Sequence, residues 1–373
     1  MLTLDQCFIL SILRSSLITH ESICNDCHDQ LITSRFITRN GILLTVYQKL
    51  PDTLKRELSG KYYGSLKQAV NQDYEGKSVL KALDDAGMDC IALKGWIMRE
   101  YYPVPTMRQM ADLDILVRPY DYKKIESVMK KLGYESEAES SWKHDSFKKD
   151  EVHVEMHKRL TDDSDQIQSW EQGVWDRAVS VKGHIYKMTS EDYYVFHFVH
   201  LYKDFMNGSL GLRRIADTWL LQQQTVQMDV VKTYLESFGI WEFHERMVRL
   251  SRAAMGDIAI DEGSEFLLSH AFKYGIYGSE KSYKAGRIAS MGESMTSGKI
   301  KSKIAAVFLP FKRMKAQYPN LKKWPILLPY YWIKRIGTIL KTDMKKNRRM
   351  LNYNTISEED YMEMKQFFEA GGV

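Results

Sequence analysis

Cysteine is scarce: four in 373 residues cannot build the disulfide framework that holds a small secreted domain together. No apolar run approaches the roughly 18–20 residues that span a bilayer. The longest candidate, Trp324 to Ile333, is interrupted by Pro325 and Pro329. No cationic leader precedes the short apolar patch Cys7–Leu13, and Asp5 stands just before it, so a secretory signal is not expected. Proline is also rare, and none occurs between Pro119 and Pro310, which leaves that stretch open to helix. No fixed-period repeat is visible. Hydrophobic residues at 44% and charged residues at 27% exclude a collagen-like, low-complexity or largely disordered chain. The expectation is a soluble, cytoplasmic protein of two or three domains.

Acidic residues are nearly missing from one segment. Between Thr296 and Met350 lie fifteen of the 53 Lys and Arg residues but one of the 48 acids, Asp343, so the rest of the chain carries nine more acids than bases. A basic segment on an acidic body suggests an anionic partner for residues 296–350, or a tail that folds back. Its aromatics and cations (Phe308, Phe311, Lys322, Lys323, Trp324) suit an anionic lipid surface or a nucleic-acid backbone, with nucleic acid the less favoured. Its prolines argue against one continuous membrane-surface helix, and a solvated basic face is the default.

Apolar periodicity divides the chain. Leu10, Leu13 and Leu17, then Leu43, Val46 and Leu50, recur at helical spacing, with Pro51 ending the second set. A long amphipathic pattern from Tyr62 to Ala86 (Leu66, Val70, Tyr74, Val79, Leu83) stops at Gly87. Strands are expected at 89–93, 111–117, around Phe147 and at 152–156, with helices starting at Trp96 and covering 120–132. Beyond Thr161 the pattern is helical again. The layout is a helical lead (1–87), an α/β core (88–160), a helical region (161–295) and a basic, aromatic segment (296–373), an α+β chain overall.

The informative residues are Ala111-Asp112-Leu113-Asp114-Ile115-Leu116-Val117. Alternation along a strand turns Asp112 and Asp114 to one face and Leu113, Ile115 and Val117 to the other. Adjacent carboxylates repel, so one pKa rises or a cation sits between them, and a hard divalent ion such as Mg²⁺ is the simplest solution. Val152-His153-Val154-Glu155-Met156-His157 alternates likewise, and if the two strands are neighbours Glu155 completes a triad able to hold two metals. Lys94-Gly95, after a strand and before a helix, suits a phosphate-binding turn in which Lys94 adds a point charge. Arg108 reads either as a second phosphate contact or as a surface charge. His197, His200, Arg213 and Asp217 read first as a buried polar network, second as a pocket wall facing the acids.

Leu93-Lys94-Gly95, Tyr102-Pro103, Arg108, Asp112 to Val117, Gly133-Tyr134, Glu155-Met156-His157 and Leu212 to Asp217 together resemble the uncharacterised nucleotidyltransferase family of the polymerase-beta superfamily, from about residue 5 to about residue 340. The resemblance implies a small mixed sheet flanked by helices, with helical additions at both ends. It implies an enzyme that moves a nucleoside monophosphate from an NTP such as ATP to an acceptor. Mg²⁺, with Mn²⁺ as the alternative, would be held by Asp112, Asp114 and Glu155. By the same carry-over Glu155 orients or deprotonates the attacking group, and Lys94-Gly95 contacts the triphosphate. It also implies a bacterial setting and a sugar, peptide, protein or small-molecule acceptor. The chain departs from the wider superfamily at the turn, where Gly95-Trp96 replaces the usual Gly-Ser or Gly-Gly. That departure motivates two alternatives: a non-catalytic nucleotide- or partner-binding protein, and a peripheral scaffold acting through residues 296–350. Cys24-Asn25-Asp26-Cys27-His28 matches haem-attachment and redox patterns but reads as a chance occurrence in a helical region.

Overall fold

Helix caps and a proline set out the N-terminal region. Helix α1 (Leu4–Leu17) starts at a capping box in which Thr3 and Gln6 satisfy each other's backbone N–H groups. Helices α2 (Gln30–Arg39) and α3 (Leu43–Val46) follow, and Pro51 is the N-cap of a 34-residue helix, α4 (Asp52–Asp85). The computed structural model describes residues 1–18, 29–118, 122–137, 144–161, 165–292, 294–311, 314–315, 318–341 and 352–373; the Cys24–His28 motif lies outside them.

The expected core stripe of α4 needs correction. Val79 and Leu83 are buried, but Val70 and Tyr74 are exposed. The inward face is Ala69, Gln72, Gly76, Val79 and Leu83, at alternating three- and four-residue steps. Small and polar residues hide that face from a hydrophobicity pattern. They are there because Trp96 packs so closely on Gly76 that an added Cβ would lie 2.5 Å from its ring. The Gln72 amide donates to the carbonyls of Met110 (3.4 Å) and Ala111 (3.3 Å).

Seven strands form one mixed sheet: β1 (Cys90–Ala92), β2 (Leu113–Val117), β3 (Glu135–Ser136), β4 (His144–Lys149), β5 (Val152–His157), β6 (Val179–Lys182) and β7 (Ile185–Lys187), in the order β3-β4-β5-β2-β1-β7-β6. The fold is α+β, as expected. β2 runs antiparallel to β1 and parallel to β5, and β7 runs parallel to β1. β4 and β5 form a hairpin closed by Asp150 and Glu151, with Asp150 in the left-handed region at φ +51°. Short helix α5 (Lys94–Met98) follows β1, and α6 (Tyr122–Lys131) follows β2.

Alternation decides the layering. Leu113, Ile115 and Val117 from β2 and Val152, Val154 and Met156 from β5 join Val79, Leu83, Ile125 and Met129 in one core. Full burial of each such side chain contributes about 1.5–3 kcal/mol. The polar residues of the same strands are left on the opposite face.

The β6–β7 hairpin falls where helix was expected. Val179-Ser180-Val181-Lys182 alternates over only four residues, and all four are exposed, so the strand buries no face of its own. Tertiary contacts hold it: β7 takes the free edge of β1, and Asp84 accepts a hydrogen bond from the His184 backbone N–H at 2.7 Å. Helices then dominate: α7 (Asp165–Arg177), α8 (Ser190–Met206), α9 (Leu212–Gln222), α10 (Met228–Ser237), α11 (Trp241–Met255) and α12 (Glu262–Tyr274). They are followed by α13 (Glu280–Met291), α14 (Met295–Val307), α15 (Leu328–Lys341) and α16 (Glu358–Ala370).

The chain divides into two compact units, residues 1–203, 210–277 and 370–373 in the first and 204–209 and 278–369 in the second. The sheet and the acidic residues belong to the first. In the second, Phe205 stacks on Phe367 with ring centroids 3.9 Å apart, and Met314, Leu321 and Tyr331 form a small core. No helix among the described residues is long and apolar enough to cross a membrane.

Candidate active site

Parallel pairing of β2 with β5 sets Asp114 directly beside Glu155. Asp112 lies one residue before β2, and its carboxylate joins the other two: one oxygen from each of Asp112, Asp114 and Glu155 falls within 4.8 Å of the others. Three hard oxygen donors this close suit Mg²⁺ or another divalent cation.

Lys94 and His157 already face the buried member of the trio. The Lys94 ammonium donates to Asp114 Oδ1 at 2.5 Å, and His157 Nε2 donates to the same oxygen at 2.6 Å. His157 also lies 3.2 Å from Glu155 Oε2, while His144, opposite it on β4, is 3.5 Å from Glu155 Oε1. His144, Glu155 and His157 form a second group of donors close enough to share an ion.

The charges are unevenly compensated. Burial pushes the Asp114 carboxyl up, but Lys94 and His157 outweigh it and hold the pKa well below the usual carboxylate range. Burial pulls His157 down, and its bonds to Asp114 and Glu155 raise it above the ordinary histidine value. Burial likewise opposes ionisation of Glu155, which His157 nevertheless keeps low. Asp112 lacks such help: burial, then the charge of Asp114, push it up to about 6. Of the three carboxyl groups, Asp112 is the one least compensated by Lys94 and His157.

Lys94 and Gly95 sit at the end of β1, where the Leu93 N–H donates to the Asp114 carbonyl at 2.9 Å. Lys94 is one of two described non-glycine residues with positive φ, at +43°, a conformation costing about 1–3 kcal/mol that the surrounding contacts must hold. The Tyr193 hydroxyl, from α8, donates to the Lys94 carbonyl at 2.8 Å. Gly95 is required by close approach, since a Cβ there would lie 2.5 Å from Arg108 Nη1 and 3.0 Å from Met110. Trp96 turns inward onto α4.

Arg108 is committed within the protein. Its Nε and Nη2 donate to Asp217 Oδ1 and Oδ2 at 2.8 and 2.7 Å, and the Tyr102 hydroxyl donates to Asp217 Oδ1 at 2.8 Å. Burial works against the Arg108 charge, but Asp217 raises its pKa above the already high arginine value. Of the residues whose helical spacing suggested a buried polar network, Asp217 is the one that takes part in these bonds. The same residues also line a cleft of about 190 Å³ together with Lys94, Asp112 and Asp114, so both readings of His197, His200, Arg213 and Asp217 describe part of the arrangement.

The far wall is cationic. Arg213 donates through Nη1 to the Gln109 carbonyl at 2.7 Å, while its buried Nε has no hydrogen-bond acceptor among the described residues. Arg214 lines the cleft as well. His197 donates to Thr218 Oγ1 at 3.0 Å, and burial pushes its pKa down to about 3, so the ring is neutral. The cleft therefore joins a hard-anion corner to a guanidinium wall, a pairing suited to a metal-bound polyphosphate. Tyr193 was not singled out from the sequence, because nothing local links it to the acids, and Arg214 entered only within the motif Leu212 to Asp217. His153, on the same face of β5 as Glu155, instead meets Glu137 at 3.2 Å.

Three convergent carboxylates that could hold a metal ion thus lie on a mixed sheet beside a cleft lined by arginines. Residues 35–256 match the family described as uncharacterised nucleotidyltransferase, more than half of the chain, and the protein belongs to that family. The match lies within the span of resemblance read from the sequence and includes every residue of the site. No curated protein and no solved structure matches the chain significantly.

Proposed function

We propose that the protein transfers a nucleoside monophosphate from an NTP to an acceptor, using residues 88–160 as its nucleotidyltransferase core. One observation carries this reading: Asp112, Asp114 and Glu155 offer oxygens within 4.8 Å of one another, and the first two line a cleft that Arg213 and Arg214 also line. The donor set fits Mg²⁺, being all carboxylate, and the unbalanced charge at Asp112 favours a cation there. Bound Mg²⁺ would neutralise phosphate charge and hold the triphosphate for in-line attack.

The protein's own groups divide the remaining work. Glu155 accepts the proton of the acceptor's attacking group as that atom bonds to the α-phosphorus and the bond to the β-phosphate oxygen breaks. Lys94 meets the triphosphate, and Arg213 and Arg214 supply the positive wall along which pyrophosphate leaves. His157 holds the carboxylates of Asp114 and Glu155 in place. Arg108, bound to Asp217, shapes the turn at Gly95. A cytoplasmic site suits an NTP-dependent enzyme with few cysteines.

A second reading rests on the Lys94–Asp114 pair. An ammonium 2.5 Å from the central aspartate stands where a cation is needed, as in a fold that binds nucleotide without transferring it. One experiment separates the two. Incubation with each α-labelled NTP, Mg²⁺ and cell extract should label an acceptor and release pyrophosphate, and Asp112→Asn or Asp114→Asn should abolish both. Mg²⁺–NTP binding with no pyrophosphate released under any condition would sink the transferase reading in favour of the second.

A further inference from the structure

The second unit carries large apolar side chains facing water. In the segment leading into and along α15, Trp324 is 63% exposed, Ile326 84%, Tyr330 58% and Ile333 70%. Tyr330 and Ile333, three residues apart on α15, share one face, and Ile326 precedes them in a 3-10 turn. The opposite side of this segment supplies Tyr331 to the small core of the unit. The helix is thus apolar on the side the protein covers and also on the side it leaves open.

A second apolar stripe adjoins it. Ile300, Ile304 and Phe308 recur every four residues along α14 and its C-cap, and all are exposed. The two helices are fastened together: Arg335 donates to the carbonyls of Ala306 (3.1 Å) and Val307 (2.8 Å). Trp332 donates to the Leu309 carbonyl at 3.0 Å and stands edge-on to Phe308. Exposed Lys301, Lys303, Lys322, Lys323 and Lys334 flank these side chains. An exposed apolar surface of this kind marks an interaction site, and its cationic margin selects the partner.

We propose that this face docks on an anionic lipid surface, with Ile326, Tyr330 and Ile333 entering the boundary between headgroups and acyl chains and the lysines meeting lipid phosphates. Charge decides among occupants: fifteen cations against one acid between Thr296 and Met350 call for a dense field of negative charge. A nucleic acid would use the lysines but leave the isoleucines in water. A second copy would bring the same cations against each other. Tryptophan and tyrosine among the isoleucines suit a boundary that is oily on one side and wet on the other. Neither signal alone anchors a protein stably, and here both occur on one face. The inference is independent of nucleotidyl transfer.

The test is co-sedimentation of the full chain with phosphatidylcholine vesicles, with or without about 30% phosphatidylglycerol. Binding to the anionic vesicles should be at least about tenfold stronger and should weaken as salt is raised. The double variant Ile326→Ser/Ile333→Ser, with an unchanged circular dichroism spectrum, should lose about tenfold or more. Lys322→Gln/Lys323→Gln should reduce the preference for anionic lipid. Equal binding to both vesicle types, or anionic binding untouched by the isoleucine changes, overturns the proposal. So does a dimer in light scattering that the isoleucine changes dissolve while vesicles go unbound. Duplex nucleic acid bound equally by wild type and the isoleucine variant, without vesicle binding, also overturns it.

Discussion

The Lys94 ammonium lies 2.5 Å from Asp114 Oδ1, and the backbone of Lys94 holds a left-handed conformation to put it there. An aspartate with 3% of its surface exposed needs such a partner, because an unpaired buried carboxylate is strongly disfavoured. Lys94→Met should therefore destabilise the fold by about 1–3 kcal/mol, His157 limiting the loss. Urea denaturation measures this. On the transferase reading, the same change should lower nucleotidyl transfer by about 100-fold or more. Unchanged stability would mean that His157 alone suffices for Asp114.

Asp112 presents the opposite case. Burial and its neighbour's charge already disfavour its ionised form, so removing that charge relieves the native state. In chelator, Asp112→Asn should leave stability unchanged or raise it by about 1 kcal/mol. Transfer should be abolished and Mn²⁺ binding, read by electron paramagnetic resonance, weakened. A clear loss of stability in chelator would contradict the charge balance drawn for the site.

Gly76→Ala sets two effects against each other. Alanine improves helix propensity by about 1 kcal/mol. The new methyl, however, would sit 2.5 Å from the Trp96 ring, and overpacking of this kind costs about 1–3 kcal/mol. Net destabilisation is expected, with reduced transfer as well, because Trp96 belongs to the turn that carries Lys94. Trp96→Leu in the same chain should recover part of the stability.

Acid should weaken the fold through two buried histidines. Burial pushes His197 down to about 3 and His244 down to about 4, from an ordinary value near 6.5. Between pH 6.5 and 4 the unfolded chain then binds more protons than the native one, so stability falls as pH falls, by up to about 1.4 kcal/mol per unit for each histidine. The Tyr194 hydroxyl bonds His244 Nε2 at 3.0 Å, while the buried Nδ1 of His244 has no hydrogen-bond partner among the described residues. His244→Gln should reduce the stability difference between pH 7 and 4.5 by up to about 3 kcal/mol. Identical pH dependence in wild type and variant would show that His244 charges without penalty.

Much of the site was legible because strand alternation is local. Asp112 and Asp114 sit among Leu113, Ile115 and Val117, and Glu155 sits among Val154 and Met156, so each carboxylate could be assigned a face without any knowledge of neighbours. The bond between His157 and Asp114 was not legible, although His157 had been assigned the correct face. Arg108 left two readings open, and its partner Asp217 is more than a hundred residues away in sequence. The inward face of α4 was misread at Val70 and Tyr74, because the residues that matter there, Ala69, Gln72 and Gly76, are small or polar.

By itself, then, the amino-acid order determined where strands alternate, where helices start and stop, and which face each acid takes, since these follow from backbone geometry within a few residues. Only the tertiary structure decided that β2 pairs with β5, that a solvent-exposed hairpin at 179–187 completes the sheet edge, and that Asp217 receives Arg108. Those choices depend on burying surface and compensating charge between segments far apart in the chain, and no local pattern encodes which distant partner is met.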